Sequence, residues 1–559
     1  MKIKFCGAAS GVTGSCHLLT GGEHRILLDC GQFQGGKAQE EMNYEAFPFD
    51  PAEVECVVLS HAHIDHCGRL PLLVKRGFTG KIYCTDATAD LLGVMLRDSA
   101  YIHEKEVEWR NRKNERAGRP LLEPLYTERD AEAAMQLVQP VLYDQLIDIN
   151  DSMRIVFNDA GHILGSAITE LWVEEEGCVS KIVFSGDLGV ADRPILRDPT
   201  IIKKADYVIM ETTYGDRLHP QQKKSGIDDL MEIIAATVRR GGTVVIPSFA
   251  VGRTQELIYL LHRYYEENRE YSAVLRGLPV YVDSPMAVAA TEIFQRNAQV
   301  FDEETRDYLL RGDNPLDFPG LRFTRSTEES QRLNMNRKPK VIISASGMCE
   351  AGRIRHHLKH NLWDRRASVV FVGYQAEGTL GRKLIEGTEE VVLFGEPVAV
   401  NAEIHNLEGF SGHADRDGLL AWLEGFEKAP QQLYLVHGEA KAKEHFAAAV
   451  RQQLGWQPVA VSEISEFELS GAQLLSREEA ARESIDAEAV GRLREQIATI
   501  HGQLENVLYN SSLRVGSEVS PEQLVRINNL VQQLDKNTVD LGAVLAEDDD
   551  GRKTAGEKV

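Results

Sequence analysis

Cysteine, positive charge and long apolar runs are all in short supply in this chain. Its eight cysteines, spread over 559 residues, sit at Cys6, Cys16, Cys30, Cys56, Cys67, Cys84, Cys178 and Cys349. No two have CxxC spacing, which argues against a thiolate zinc finger and against a disulfide framework, and suits a reducing cytoplasm. No apolar run approaches the roughly 20 residues of a membrane-spanning helix. The opening "MKIKFCGAASGVTGSCHLL" lacks the apolar core of a signal peptide. The expectation is a soluble, cytoplasmic protein with no membrane partner. Lys and Arg number 62 against 85 Asp and Glu, a net charge of −23. Sequence-independent coating of nucleic acid works by displacing counterions with Lys and Arg, so the charge excludes it. A nucleic-acid partner has to be gripped locally, by a few basic groups or by metals.

What the chain does have is core-forming material. At 43% hydrophobic and 26% charged it is ordinary globular sequence, too long for one domain. The first third reads as short strands broken by glycine turns: "KIKFCG", "SCHLLT" and "HRILLDCG". "VECVVLS" is a nearly all-apolar, β-branched run, as a buried strand should be. "GRLPLLVKRG" reads as helix and "TADLLGVMLRDSAYIHEKEVEWRNRKNERAG" as a long, charged helix. After about residue 210 a rhythm of strand, polar loop and helix sets in, the signature of an α/β unit with a parallel sheet. Sites in such sheets lie at the carboxyl ends of strands, where "SFAVGR", "DSPMA", "SASGM" and "GYQAEGTLGR" fall. Short strands return from about residue 396. Beyond about 471 a polar tail has helical periodicity, with Ser520 and Pro521 suited to start a helix, and the last stretch, "AEDDDGRKTAGEKV", reads as disordered.

The densest chemistry is "SHAHIDHCGRL", which follows the buried strand "VECVVLS". His61 and His63 alternate, so an extended segment points both imidazoles the same way. Asp65 and His66 follow where the chain turns and face a second point. One tetrahedral ion cannot easily take all four from so tight a loop, whereas two neighbouring ions can. Imidazole with carboxylate suits Zn²⁺ and, less selectively, Fe or Mn. His162 in "GHILGS", Asp187 in "FSGDLG" and His437 in "LVHGE" each follow an apolar run beside a glycine, as ligands at a sheet rim would. Such a site polarises a phosphoryl or carbonyl oxygen and lowers the pKa of a water to about 7, which points to hydrolysis.

The order Asp29, "HAHIDH", His162, Asp187 resembles the metallo-β-lactamase superfamily. "ETTYG", "SGHAD" and "LVHGE" further resemble its β-CASP branch, the nucleic-acid-processing group. The resemblance covers roughly residues 1–470 and implies an α/β fold: an αββα sandwich with an inserted β-CASP α/β domain and a C-terminal helical extension. Its segments would be 1–207 and 394–470 for the sandwich, 208–393 for the insert and 471–559 for the extension. It implies that His61, His63 and His162 hold one zinc, that Asp65, His66 and His437 hold the other, and that Asp187 bridges them. Asp29 would orient ligands. Glu211 and His413 would form an acidic–histidine pair, with His413 as general acid for the leaving 3′-oxygen. His437, where DNA-repair members have an apolar residue, favours RNA.

The implied activity is therefore a two-zinc ribonuclease on single-stranded RNA, endonucleolytic with 5′-to-3′ exonuclease action as a second mode; family members are often dimers. Ser248, Arg253, Ser344, Ser346, Arg353, Tyr374, Thr379 and Arg382, on the loops of the insert, are the expected phosphate contacts. "GAASGVTG" reads as a glycine-rich strand turn near the metal site, since it fits no dinucleotide fingerprint. The competing readings are a small-molecule ester, thioester or lactam hydrolase and a non-catalytic RNA-binding subunit. The inserted domain weighs against the first and the full ligand set against the second.

Overall fold

Two seven-stranded sheets pack face to face at the centre of the molecule. The computed structural model describes residues 1–219, 226–267, 269–375, 378–407, 410, 412–469 and 500. The helical extension and disordered end expected after residue 470 lie outside the described residues, Ile500 aside. The described residues of Met1–Leu309 and Asp313–Ser484 belong to one compact unit.

The first sheet runs Ser465–Glu468, Lys2–Gly7, Cys16–Gly21, His24–Leu28, Cys56–Val58, Lys81–Thr85, Val138–Val141. It begins as the expected antiparallel meander and turns parallel at the pairing of His24–Leu28 with Cys56–Val58. The second runs Val459–Ala460, Gln432–Val436, Tyr207–Glu211, Cys178–Phe184, Ala167–Glu175, Met153–Asp159, Ile147–Asn150, with its parallel pairs at one end. Strand alternation sorts the side chains. Ile26 and Leu28 face Phe157, Phe184 and Ile209 in the core between the sheets, while Leu27 faces outward. On the outer faces Leu70, Leu73, Leu92 and Leu96 cover the first sheet. Leu419, Trp422, Phe446 and Val450 cover the second. The result is the expected αββα sandwich.

The third sheet is parallel throughout: Leu321–Phe323, Val280–Val282, Lys340–Ala345, Thr243–Ser248, Ser368–Phe371, Glu403–Asn406. Helices cover both faces, with Ile234, Leu257 and Leu261 on one and Ile354 and Leu358 on the other. The expected edges of the insert shift on both sides. Tyr207–Glu211 pairs within the second sheet, so the chain has not left the sandwich at residue 208. Glu403–Asn406 pairs with Ser368–Phe371, so the third sheet reaches beyond residue 393. Apolar pattern identifies a strand, but pairing partners decide its sheet.

Candidate active site

The sandwich brings the carboxyl ends of its parallel strands to one rim. Cys56–Val58 delivers the loop of His61, His63, Asp65 and His66; Cys178–Phe184 delivers Asp187; Tyr207–Glu211 ends in Glu211; and Gln432–Val436 delivers His437. The loop is lashed down by its neighbours. Ser15 N–H donates to the Asp65 carbonyl at 2.8 Å and Cys30 N–H to that of His66 at 2.8 Å. Gly31 permits this approach, since a Cβ there would stand 1.6 Å from the Asp65 carbonyl oxygen. "GAASGVTG" braces the opposite side, its Ala8 and Gly11 carbonyls accepting from His437 N–H at 2.8 Å and Gly438 N–H at 3.1 Å. His437 and Asp29 both adopt left-handed backbone, with φ of 46° and 59°, a costly conformation for such residues and common at functional sites.

Among the described residues the donors form three clusters, the third being Asp187 with Glu211 and His413. Those of His61, His63, His162 and Asp187 lie within 4.8 Å of one another, as do those of Asp65, His66 and His437. In the first, His63 Nδ1 is 3.0 Å from His61 Nε2 and 3.2 Å from His162 Nε2. In the second, His66 Nε2 is 3.1 Å from His437 Nε2. Asp187 Oδ2 stands between these two, 3.3 Å from His66 Nε2 and 3.6 Å from the Nε2 atoms of His61 and His162.

These contacts fit a metal better than hydrogen bonds. His162 Nδ1–H donates to the Gly412 carbonyl at 3.1 Å and His66 Nδ1–H to Asp29 Oδ2 at 2.7 Å. In the neutral ring of His162 this leaves a bare Nε2 lone pair aimed into the cluster. Burial opposes a charge on His66, but the carboxylates of Asp187, Asp29 and Asp65 outweigh it and raise its pKa well above the ordinary value, so a metal held there displaces the proton on Nε2. Two nitrogens on a tetrahedral zinc stand about 3.3 Å apart, close to the spacings here. Asp187 Oδ1 is buried without a hydrogen-bond partner. Burial pushes the pKa values of His61 and His162 well down and that of His63 to about 4, which keeps the three neutral and able to ligate. Burial also acts to raise Asp187, but the charges of His437 and His66 outweigh it and hold the carboxyl ionised. Oxygen, imidazole and no thiol is a hydrolytic donor set.

The supports are equally specific. Asp29 is fully buried and accepts from Ser60 N–H at 2.8 Å and from the Ser15 and Ser60 hydroxyls, each at 2.9 Å, besides His66. His413 Nδ1 lies 3.2 Å from Glu211 Oε1, and Glu211 also accepts from Leu188 N–H at 2.7 Å and Thr213 N–H at 3.1 Å. Burial works against a charge on His413, but the field and hydrogen bond of Glu211, then Asp187 and Asp65, raise its pKa to about 9.

Family models match in order along the chain: the metallo-beta-lactamase superfamily over residues 9–230, the Beta-Casp domain over 254–384, and the Zn-dependent metallo-hydrolase RNA specificity domain over 397–461. A protein named Ribonuclease TTHA0252, from Thermus thermophilus, is 40% identical over 439 residues, covering 78% of this chain and 93% of that one. The chain belongs to the metallo-β-lactamase superfamily, in its Beta-Casp group. Two proteins of Methanocaldococcus jannaschii agree. The RNase J-like protein is 31% identical, with 81% of this chain and 96% of that one covered. The Transcription termination factor FttA is 31% identical, with 81% and 69% covered. Membership makes the chain a metal-dependent hydrolase.

The Beta-Casp loops place their expected phosphate contacts unevenly. Ser248 ends its strand and Ser344 is next to last in the neighbouring one, but both are buried, Ser248 accepting from the Thr254 hydroxyl at 3.1 Å and Ser344 donating to the Asp283 carbonyl at 2.8 Å. Ser346 stands on the loop beyond, with φ 108°. Arg253 is buried in an ion pair with Glu256, which closes its guanidinium to a phosphate, whereas Arg353 pairs with Asp283 at 2.6 Å and stays partly exposed. A Gly-Arg at a helix start reads the same whether the Arg faces a ligand or a carboxylate one turn on. Thr379 caps the helix Leu380–Ile385, and Arg382 pairs with Glu386 at 2.7 Å. Tyr374 is exposed, with the Arg217 guanidinium 5.6 Å from its ring centroid.

Several residues that shape the site carry no sequence signal. Arg193 reaches Glu256 at 2.7 Å and the His162 carbonyl at 3.2 Å, joining the Beta-Casp helix Arg253–Glu266 to the metal rim. Thr213 Oγ1 lies 3.1 Å from His437 Nδ1, and His219 Nε2 donates to the His413 carbonyl at 2.9 Å. Among the described residues no helix is long and apolar enough to cross a membrane.

Proposed function

We propose that the chain is a zinc-dependent ribonuclease that hydrolyses phosphodiester bonds of single-stranded RNA by a two-metal mechanism, cutting internally and, from a free 5′ end, exonucleolytically. The observation that carries this reading is the convergence of two donor clusters on Asp187 with the His413–Glu211 pair beside them, Asp187 Oδ2 being 3.9 Å from His413 Nδ1. His61, His63 and His162 would hold one zinc and Asp65, His66 and His437 the other, with Asp187 within reach of both groups. When bound, the two ions supply Lewis acidity to a non-bridging phosphate oxygen and acidify the attacking water. Asp29 keeps the His66 proton on Nδ1, so Nε2 stays a ligand. Glu211 holds His413 in its protonated form, and His413 delivers that proton to the departing 3′-oxygen. The RNA specificity region over 397–461, which contains His413 and His437, supports RNA as substrate. The eight free cysteines suit the reducing cytoplasm.

The test is cleavage of end-labelled single-stranded RNA by zinc-loaded protein and by the Asp65→Ala and His66→Ala variants. Loss of cleavage with the melting temperature kept supports the assignment. Undiminished cleavage by both variants sinks it. Internal fragments that do not depend on the 5′ group mark endonuclease action, and mononucleotides released only from an unblocked 5′ end mark exonuclease action.

A further inference from the structure

The helix Asp86–Ala117 has 32 residues, about 48 Å at 1.5 Å per residue. It is rooted beside the metal clusters. Thr85 and Thr88 both donate their hydroxyls to the Gly165 carbonyl, in the His162 loop, at 2.6 and 2.8 Å. Its second half is braced along one side. Val107 is buried there, Asn111 exchanges hydrogen bonds with the Leu122 backbone at 2.9 and 2.8 Å, and Asn114 donates to the Pro120 carbonyl at 3.1 Å.

Those inner contacts fix what the outer side presents. At 3.6 residues per turn, Tyr101, Lys105, Trp109, Arg112, Lys113 and Arg116 share the opposite face, and all six are exposed. The nearest carboxylates only flank it: Glu108 takes Lys105 and Glu106 takes Arg110. Arg112, Arg116 and, just past the helix, Arg119 make no ion pair among the described residues. Residues 109–119 carry five cations and one carboxylate in a chain of net charge −23. Attraction to the helix C-terminus explains Arg116 alone, because that effect dies away within the last turn. Aromatic rings alternate with the cations: Lys113 Nζ lies 3.3 Å from the Trp109 ring centroid and Lys105 Nζ 5.6 Å from that of Tyr101.

Single-stranded RNA is held by this combination, cations along the phosphates and rings under the bases. Protein contacts also favour Tyr, Trp and Arg but are depleted of Lys; here two lysines join Arg112 and Arg116 around a single exposed large aliphatic residue of the helix, Ile102, an arrangement that favours a polyanion. We propose that this outer face is a second RNA-binding surface. Arg112, Arg116 and Arg119 contact phosphates, and Trp109 and Tyr101 stack on bases, Tyr101 about 22 Å and Trp109 about 35 Å along the helix from its rooted end. The surface captures long RNA and leaves short fragments to the cleft alone. It rests on RNA being the substrate.

The test compares the zinc-loaded full chain with the variant Trp109→Ala/Arg112→Ala/Arg116→Ala, its fold checked by melting temperature, and with Trp109→Ala alone. Two single-stranded RNAs are used, one long enough to reach from the cleft to Trp109 and one too short to do so. The triple variant is expected to raise KM for the long RNA about tenfold or more, with kcat/KM for the short RNA unchanged. The salt dependence of long-RNA affinity should become shallower by about 1.4 log units per log unit of salt, from two lost cations at about 0.7 each. Unchanged KM and salt slope, with cleavage intact, overturn the second surface and leave the ribonuclease standing. A changed oligomeric state in light scattering, with RNA affinity unchanged, makes the face a protein contact and also overturns it. If the unaltered protein neither binds nor cleaves either RNA, the ribonuclease reading falls as well.

Discussion

Asp29→Asn should separate the two halves of the metal site. In the native protein Asp29 Oδ1 accepts the Ser60 N–H, and Oδ2 accepts two serine hydroxyls and His66 Nδ1–H. An asparagine keeps its oxygen against the Ser60 amide, because that group can only donate. Its NH₂ then stands where Oδ2 stood. The hydroxyls can turn to accept. His66 keeps a hydrogen bond only by accepting at Nδ1, which moves its proton to Nε2, the atom 3.1 Å from His437 Nε2. A protonated Nε2 is no ligand. The loss therefore falls on the cluster of Asp65, His66 and His437 and spares that of His61, His63 and His162. Removing such an orienting partner weakens metal binding about 10–100-fold, or about 1.4–2.8 kcal/mol. Metal-free protein titrated with zinc against a chromophoric chelator should show one site of native affinity and one weakened, with RNA cleavage recovering at raised zinc. Two unchanged affinities, or an equal loss at both, refute the reasoning.

Glu211→Gln removes the charge that most favours protonated His413, so the alkaline limb of kcat/KM should move to lower pH. Asp187 and Asp65 still favour the protonated ring, so His413 should fall from about 9 toward its ordinary 6.5, and the protonated fraction should drop by up to about fourfold near pH 7 and up to about 150-fold near pH 9; a deficit equal at every pH counts against a proton-donating His413. Glu256→Ala leaves the buried guanidinium groups of Arg193 and Arg253 without their shared carboxylate. That should cost about 3–5 kcal/mol in urea unfolding, and a loss under about 1 kcal/mol means the pairing is dispensable. Gly31→Ala forces a methyl group against the Asp65 carbonyl, so melting temperature and bound zinc should fall together; native values for both rule out the close approach.

Much of the candidate site was readable because its ligands are local. His61, His63, Asp65 and His66 fall within six consecutive positions, and His162, Asp187 and His437 each end or follow an apolar strand. Residue type and position along a strand are properties of sequence; the αββα layering was implied by the family resemblance of the motif order, and the opposite burial of Leu27 against Ile26 and Leu28 agrees with it. The loops of the third sheet were legible as loops, but the aim of their side chains was not. Arg253 and Arg353 turn to Glu256 and Asp283, where sequence pattern suggested phosphate contacts.

Tertiary structure alone decided what meets what. The register that sets Glu211 beside Val436 and Phe184 beside Ile209 brings residues hundreds of positions apart to one rim. It also assigns Tyr207–Glu211 to the sandwich and Glu403–Asn406 to the insert. Arg193 entered the site by the same route, through a carboxylate 63 residues away. Periodicity records which face of a strand is buried. The partner is chosen by packing and hydrogen bonding across the whole fold, and no local stretch of sequence carries that information.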